Sequence, residues 1–378
     1  MAGVRAKFGT VALLGIVGPH LWRTLRPRNG TAQTARGLTS FLAGIVLLLA
    51  SAAANAQNDP LAAWNNGPAK QTIISFVKSV TDASGSKFVE PKDRIATFDQ
   101  DGTLWVEHPI YTQAMFALDR VHVLAPTHPN WTHQSPFSAI LSDNREAIAR
   151  FNEADWEKIV AATHSGMSTE AFLGEVRNWL LTARHPQFQR PYTTLVYEPM
   201  LQLLRYLQSN GFKTYIVTGG GQEFTRTFSD DVYGIPPEQV VGSSILTKYQ
   251  DKNGKPELMR EPEPFFVDDG PGKAVGINLF IGKRPLAAFG NSSGDREMLE
   301  WTQAGGGQRL EMLVMHDDVA REYAYGPAQG LPDTKVGTFP ASLYDEAQKN
   351  RWTVISMKND WNRIFSFAAP PQTSQTPK

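Results

Sequence analysis

Three short apolar runs in this chain each end in a turn made of polar or glycine residues. The runs cover residues 94–98, 213–218 and 286–289, and the turns read Asp-Gln-Asp-Gly-Thr, Thr-Gly-Gly-Gly and Gly-Asn-Ser-Ser-Gly-Asp. Stretches with helical periodicity lie between the runs, so strands and helices alternate along the chain. This alternation predicts an α/β fold in which a parallel sheet is covered by helices on both faces. The three turns should then meet at the edge where such sheets bind ligands.

The length of 378 residues allows one large domain with an insertion or two folding units. Residues 108–195 show helical periodicity without a convincing strand, which predicts an inserted helical cap. The α/β core then comprises residues 57–107 and 196–367, followed by a disordered tail at 368–378 that is rich in Pro, Gln, Thr and Ser. Within these parts we expect helices near 71–80, 137–151, 154–162, 168–183 and 199–209, a hairpin near 251–254, and further strands at 310–315 and 352–356.

The first 56 residues are typical of an export signal. They carry six Lys or Arg and no acidic residue, and an uncharged run at 41–54 is followed by the pattern Ala54-Asn55-Ala56. A run of 14 residues is short for a membrane span, and Ala-x-Ala marks a cleavage site. We therefore expect cleavage after Ala56 and a periplasmic or secreted protein without a stable membrane anchor.

The charge pattern disfavours a nucleic-acid partner. Lys plus Arg and Asp plus Glu are equal at 37 each, but the basic excess at the beginning leaves the remaining chain acidic and without a dense basic run. The chain has no cysteine, which excludes disulfides, thiolate nucleophiles and Cys-ligated metals.

The residues of the three turns suit phosphoryl transfer. Asp99 and Asp101 can divide the roles of nucleophile and acid/base, while Gly102 permits a sharp turn. Thr218 and the amides of Gly219 and Gly220 can hold phosphate oxygens. The remaining candidates are Lys273, which adds a positive charge, and Asn291 and Asp295, which offer oxygen ligands to a hard cation such as Mg²⁺.

These motifs resemble the haloacid dehalogenase superfamily between about residues 94 and 295. The resemblance covers the Asp-x-Asp-Gly-Thr loop, the Thr at a strand end, the Lys and the final acidic loop, and the helical insertion is similar to the cap of its phosphoserine-phosphatase-like branch. It implies a Rossmann-like core and a Mg²⁺-dependent phosphatase for small phosphomonoesters. Asp99 would form an aspartyl-phosphate, Asp101 would act as acid and base, and Thr218 and Lys273 would hold the phosphoryl group. Because dehalogenases of the superfamily usually lack the second Asp, the resemblance favours phosphatase chemistry.

The metal site departs from the family pattern. The last motif of the family begins Gly-Asp, whereas this chain has Gly290-Asn291 and keeps the second acidic position at Asp295. We predict a Mg²⁺ site formed by Asp99, Asp101, Asn291 and Asp295, with Asp295 contributing more than Asn291. The neutral Asn291 amide attracts a cation less strongly than a carboxylate would.

Two other functions stay open from the sequence. Residues 290–294 match the Gly-x-Ser-x-Gly elbow of serine esterases, with Ser292 as nucleophile, but His316 is the only histidine that follows. A phospho-ligand-binding protein without turnover is the other alternative, indicated by Asn291. Glu107 and His108 directly follow the first turn and could touch the leaving group of a substrate.

Overall fold

The computed structural model describes residues 59–368. The predicted export signal at residues 1–56 lies outside this range, as does the predicted tail apart from Ala368. Across residues 59–368 no helix has the length and apolar character needed to cross a bilayer.

Seven strands form one sheet. They are β1 (Ile95–Phe98), β2 (Lys213–Gly221), β3 (Val240–Asp251), β4 (Pro256–Phe266), β5 (Ala287–Gly290), β6 (Leu310–Met315) and β7 (Thr353–Ser356). Their order in the sheet is β4-β3-β2-β1-β5-β6-β7. β4 runs antiparallel to β3, and the other pairs are parallel. The predicted α/β fold is confirmed.

The central strand β1 is buried on both faces. Thr97 lies opposite Tyr215 of β2 on one side and Ala288 of β5 on the other. All four residues of β1 are buried, which is typical of a parallel strand covered on both faces and explains its continuous apolar character.

The helices of the described residues follow in chain order. They are α1 (Pro68–Thr81), α2 (Thr112–Leu124), α3 (Phe137–Leu141), α4 (Arg145–Ile148), α5 (Glu153–His164), α6 (Thr169–Thr182), α7 (Glu198–Ser209), α8 (Gln222–Arg226), α9 (Ser229–Tyr233), α10 (Pro271–Gly276), α11 (Arg296–Gln303), α12 (Ala341–Asn350) and α13 (Met357–Asp360). A π-helical turn, Ile277–Ile281, follows α10, and short 3₁₀ turns lie in several connections.

Helices cover both faces of the sheet. α1 and α7 pack with Phe98 and Phe289 on one face, and α11 and α12 pack with Ile95 on the other. The buried positions of α7 are spaced as i, i+3, i+4 and i+7 from Met200 to Leu207, so one apolar stripe of this helix faces the sheet.

The segment between β1 and α7 contains the helices α2 to α6. It has an apolar cluster of its own, which includes Val121, Trp131 and Ile159. The predicted single helix at 137–151 is wrong, because the chain forms α3 and α4 separately. Asp143 adopts a left-handed φ of 51°, and the Asn144 side chain accepts a hydrogen bond from the Ala147 amide to start α4.

The hairpin expected near residues 251–254 is present as β3 and β4. It reaches the helical segment, because the Arg260 amide donates to the Met167 carbonyl and the Gly166 amide donates to the Arg260 carbonyl, both at 2.9 Å. β2 continues through Gly219–Gly221, three residues beyond the predicted strand. The hairpin and the helical segment therefore lie beside the end of β2.

Candidate active site

The polar turns after β1 and β5 meet the last residues of β2, Gly219–Gly221, here called the glycine turn, at one edge of the sheet beside a cavity of about 520 Å³. The Asp99 amide donates to the Phe289 carbonyl at 2.9 Å and so fixes the first turn against β5. The sequence-predicted residues that line the cavity are Asp99, Asp101, Glu107, Thr218, Gly219, Gly220, Lys273 and Ser292. The structure therefore brings together residues more than 170 positions apart in the chain.

Lys273 joins the turns after β1 and β5. Its Nζ donates to Asp99 Oδ1 at 2.6 Å and to Asp295 Oδ1 at 2.5 Å, and all three side chains are buried. Burial opposes the charge of Lys273, yet the two carboxylates raise its pKa and keep it a cation. Burial and the charge of Asp295 raise the pKa of Asp99 well above its usual range. The ammonium therefore fixes the orientation of Asp99 and offsets part of its charge.

Asp101 is held by Trp105. The Trp105 indole Nε1 donates to Asp101 Oδ1 at 2.7 Å, which leaves the second carboxylate oxygen without a hydrogen bond from a described side chain. Burial raises the pKa of Asp101 to about 6. A carboxyl group with such a pKa can give up and take back a proton near neutral pH, as an acid/base group must.

Two backbone amides of the glycine turn at the end of β2 already have hydrogen-bond partners within the protein. The Gly220 amide donates to Thr218 Oγ1 at 3.0 Å, and the Gly221 amide donates to the Gln113 side-chain oxygen at 2.6 Å. The amide of Gly220 is thus not free for a phosphate oxygen, contrary to the prediction. The Thr218 hydroxyl can still donate, because in its bond with Gly220 it serves as acceptor.

Asn291 and Glu107 form a buried polar network behind the first turn. Asn291 Nδ2 donates to Glu107 Oε1 at 2.7 Å, the Tyr325 hydroxyl donates to the same oxygen at 2.8 Å, and the Thr103 hydroxyl donates to Asn291 Oδ1 at 3.1 Å. Burial, with a smaller contribution from nearby carboxylates, raises the pKa of Glu107 well above its usual range. Any Cβ at Gly102, whose φ is +76°, would collide with this pair, so the network requires glycine there.

His108 does not line the cavity. Its ring packs on Tyr325 with centroids 3.7 Å apart, and Nε2 donates to the Val336 carbonyl at 3.1 Å. Burial lowers the pKa of His108. Of the two residues proposed to touch a leaving group, the structure therefore brings only Glu107 to the cavity.

The oxygens of Asp295 are already used by the protein. Oδ1 accepts from Lys273, and Oδ2 accepts from the amides of Asn291 and Ser292 at 2.9 and 3.0 Å. Asp295 therefore positions Lys273 and closes the turn after β5, instead of presenting a free oxygen to a metal ion as predicted.

A comparison with protein families identifies the family of this chain. The family model for haloacid dehalogenase-like hydrolases matches residues 96–300, more than half of the chain. The chain belongs to the haloacid dehalogenase-like hydrolase family. The matched residues run from within β1 through β2, α10 and β5 and include Asp99, Thr218, Lys273 and Asp295.

Solved structures give distant likenesses to this family member. A protein of unknown function from Bordetella pertussis has 14% identity and a TM-score of 0.42, with 69% of this chain and 97% of that chain covered. A functionally unknown protein from Anaerococcus prevotii has 14% identity and a TM-score of 0.44, with coverages of 66% and 85%. A phosphoserine phosphohydrolase-like protein from Francisella tularensis has 14% identity and a TM-score of 0.31, with coverages of 59% and 88%. No curated protein matches the chain.

The fit of Mg²⁺ to this member of the family depends on Asp99 and Asp101. Residues 59–368 contain no group of three or more His, Cys, Asp or Glu side chains arranged around one metal position. However, Mg²⁺ commonly uses one or two carboxylates and completes its shell with water and substrate oxygens. Asp99 and Asp101 each keep one carboxylate oxygen without a hydrogen bond from a described residue, since Lys273 bonds only Asp99 Oδ1 and Trp105 only Asp101 Oδ1. The pair therefore fits a dication, whereas the side chains of Asn291 and Asp295 are engaged elsewhere.

The esterase alternative is not supported by the surroundings of Ser292. Both ring nitrogens of His316 have partners of their own, the Gly102 carbonyl at 2.8 Å and Glu322 at 3.2 Å. The Ser292 hydroxyl instead donates a hydrogen bond to Asp295 Oδ2 at 3.3 Å and accepts one from the Gly294 amide. No histidine among the described residues is hydrogen-bonded to Ser292, and its hydroxyl caps the turn after β5.

Sequence reasoning missed several residues of the cavity wall. Gln113 Nε2 lies 3.1 Å from His164 Nε2, and the Thr163 hydroxyl lies 2.7 Å from His164 Nδ1. Arg260 of β4 donates to the His164 carbonyl at 2.6 Å and pairs with Glu223 of α8 at 3.1 Å. None of these residues belongs to a sequence motif, and they meet only because the hairpin and the helical segment fold toward the glycine turn.

Proposed function

We propose that this chain is a phosphomonoester hydrolase that works through an aspartyl-phosphate on Asp99. The observation that carries the proposal is that buried Asp99 is held by Lys273 while Asp101, with a pKa of about 6, lines the same cavity. Asp101 favours phosphatase over dehalogenase chemistry, because a carboxyl group at that position can protonate an oxygen leaving group. The membership in a hydrolase family agrees with this proposal.

The first half-reaction forms the covalent intermediate. The Asp99 oxygen that is not bonded to Lys273 attacks phosphorus, the bond between phosphorus and the alcohol oxygen breaks, and Asp101 donates its proton to that oxygen. The Lys273 ammonium and the Thr218 hydroxyl hold the phosphoryl oxygens as charge shifts toward the leaving group.

The second half-reaction regenerates the enzyme. The Asp101 carboxylate takes a proton from water as the water oxygen attacks phosphorus, and the bond between phosphorus and Asp99 breaks to release inorganic phosphate. The Asp99 carboxylate and the Asp101 backbone carbonyl would hold Mg²⁺, which would offset the negative charge of the phosphoryl oxygens. Because Asp101 has taken the proton of the water molecule, it is protonated again and can serve as the acid in the next turnover.

A substrate panel tests this function. The purified protein is incubated with phosphomonoesters and with aryl carboxylic esters, with added Mg²⁺ and after exhaustive chelation. We expect phosphate release that needs Mg²⁺ and no ester cleavage, with Ser292→Ala as a control that keeps most of the activity. Ester cleavage that is lost in Ser292→Ala and kept in Asp99→Asn would contradict the proposal, as would the absence of any turnover.

We also propose that the chain is exported and cleaved after Ala56. The proposal rests on the basic beginning, the uncharged run at residues 41–54 and the Ala54-Asn55-Ala56 pattern. Mass spectrometry of the protein from the host cell should give Gln57 as the first residue. A protein that retains residues 1–56 in the membrane fraction would contradict export.

A further inference from the structure

The cavity is much larger than its cluster of carboxylates. Its volume of about 520 Å³ lies within the range of sites that hold whole organic molecules. Apart from the residues at the strand ends, its walls come from the helical segment, α8 and the hairpin. The apolar side chains that line these walls include Trp156, Val160, Phe172, Phe224, Ile245 and Phe266.

The charged side chains in these walls are paired with each other. Arg260 Nη1 lies 3.1 Å from Glu223 Oε2, and the Arg260 guanidinium also lies over the Phe172 ring at 3.9 Å. The neighbouring His164 is neutral, because burial and the charge of Arg260 lower its pKa to about 3. Asp269, which also lines the cavity, lies beside Gly219 and Gly294 and belongs to the strand-end cluster. The walls away from this cluster therefore carry no net charge, although the cluster itself is strongly polar.

We infer that the leaving group of the substrate is a bulky apolar alcohol, such as an arylalkyl alcohol, and not a charged or polyhydroxylated one. This inference rests on the proposed phosphomonoesterase function. An ammonium or carboxylate that extends into these walls would lose its hydration without gaining an unpaired partner of opposite charge there. An aromatic ring would instead exchange water for contact with Trp156, Phe172 and Phe266.

A matched set of primary alkyl phosphates tests this selectivity, because their leaving groups differ little in intrinsic reactivity. The set comprises 3-phenylpropyl phosphate, propyl phosphate, phosphoethanolamine, phosphoserine and a nucleoside monophosphate. We expect kcat/KM for 3-phenylpropyl phosphate to exceed that for the two charged substrates and the nucleotide by at least about tenfold. Propyl phosphate should lie between them.

Variants locate the effect in the cavity. Trp156→Ala should lower kcat/KM for 3-phenylpropyl phosphate about tenfold and leave propyl phosphate within about twofold. Trp301→Ala is the matched control, since Trp301 lies outside the cavity and stacks with Arg284. The substrate series on the unchanged protein remains decisive if Trp156→Ala does not fold.

The outcomes separate this inference from the function on which it rests. Phosphate release with equal rates across the series, or a preference for a charged substrate or the nucleotide, would overturn the apolar selectivity and leave the phosphatase function intact. Phosphate release from none of the five compounds would overturn both.

Discussion

Lys273 lies between two carboxylates that come from different turns. Because its ammonium donates to both Asp99 and Asp295, removing it leaves two buried negative charges close together. Breaking a buried ion pair in this way costs about 3–5 kcal/mol. The side chain is therefore important for both folding and chemistry.

Lys273→Met should lower the free energy of unfolding by about 3–5 kcal/mol and abolish phosphate release. Adding Asp295→Asn to this variant should restore part of the stability, since one of the two buried charges is removed, but no activity. Urea unfolding and a phosphate-release assay measure the two effects. Equal stability of the single variant and the parent protein would contradict the ion-pair assignment.

His164 gives a prediction for the dependence of stability on pH. Burial and the charges of Arg260 and Arg120 lower the pKa of His164 from 6.5 to about 3. Below pH 6.5 the unfolded chain takes up a proton that the folded protein does not, so folding loses stability as the pH falls. His164→Gln lacks this proton uptake.

Urea unfolding of the parent protein and of His164→Gln, followed from pH 7 to pH 5, measures this contribution. Below pH 6.5 the parent should lose about 1.4 kcal/mol per pH unit more than the variant. Other titrating groups contribute equally to both proteins and cancel in the difference. Parallel pH profiles would show that His164 is protonated in the folded protein.

At the scale of elements, Gln113 connects helix α2 to the glycine turn at the end of β2. Its side-chain oxygen accepts from the Gly221 amide, and its Nε2 lies within hydrogen-bond distance of His164 at the end of α5. One side chain thus joins two helices of the inserted segment to the turn that carries Thr218. The inserted segment is therefore positioned to influence phosphate binding.

Gln113→Leu should leave the Gly221 amide without an acceptor and loosen the glycine turn. An unsatisfied donor costs about 1–3 kcal/mol when fully buried, and the Gly221 amide is half-buried, so we expect kcat/KM to fall by about threefold to tenfold. Gln134→Leu is the matched control, because Gln134 is exposed and its side chain has no partner among the described residues. Unchanged kinetics of Gln113→Leu would show that Gln113 does not hold the glycine turn in its active conformation.

The elements themselves were predictable where a local pattern existed. The apolar runs predicted β1, β2, β5, β6 and β7, and the apolar spacing from Met200 to Leu207 predicted α7. The break between α3 and α4 was missed, because it depends on a left-handed Asp143 and a capping Asn144 within an otherwise helical pattern. The conformations of Asp143 and Asn144 therefore interrupt the helix, although the apolar periodicity continues through them.

At the scale of the whole molecule, the parallel sheet explains how the turns meet. The alternation of strands and helices predicted that the turns after β1, β2 and β5 would share one edge, and the sheet order places these strands side by side. The contact between Lys273 and Asp99 follows from this order, although it spans 174 residues.

Other parts of the site depend on contacts that no local pattern encodes. Asn291 was predicted as a metal ligand, yet its amide joins Thr103 and Glu107 across more than 180 residues. The Arg260–Glu223 pair likewise needs the hairpin to fold onto the inserted segment. Sequence spacing identifies the reacting residues, whereas long-range packing decides which oxygen atoms remain free to react.

The proposed mechanism depends on the formation of a covalent phosphoenzyme at Asp99. The most direct test is to quench the enzyme during turnover of a phosphomonoester, trap any acyl phosphate by borohydride reduction, and identify the modified residue by mass spectrometry. We predict reduction at Asp99 alone and no trapping in Asp99→Asn. Turnover without a modified Asp99, or modification of Ser292 in its place, would contradict the account.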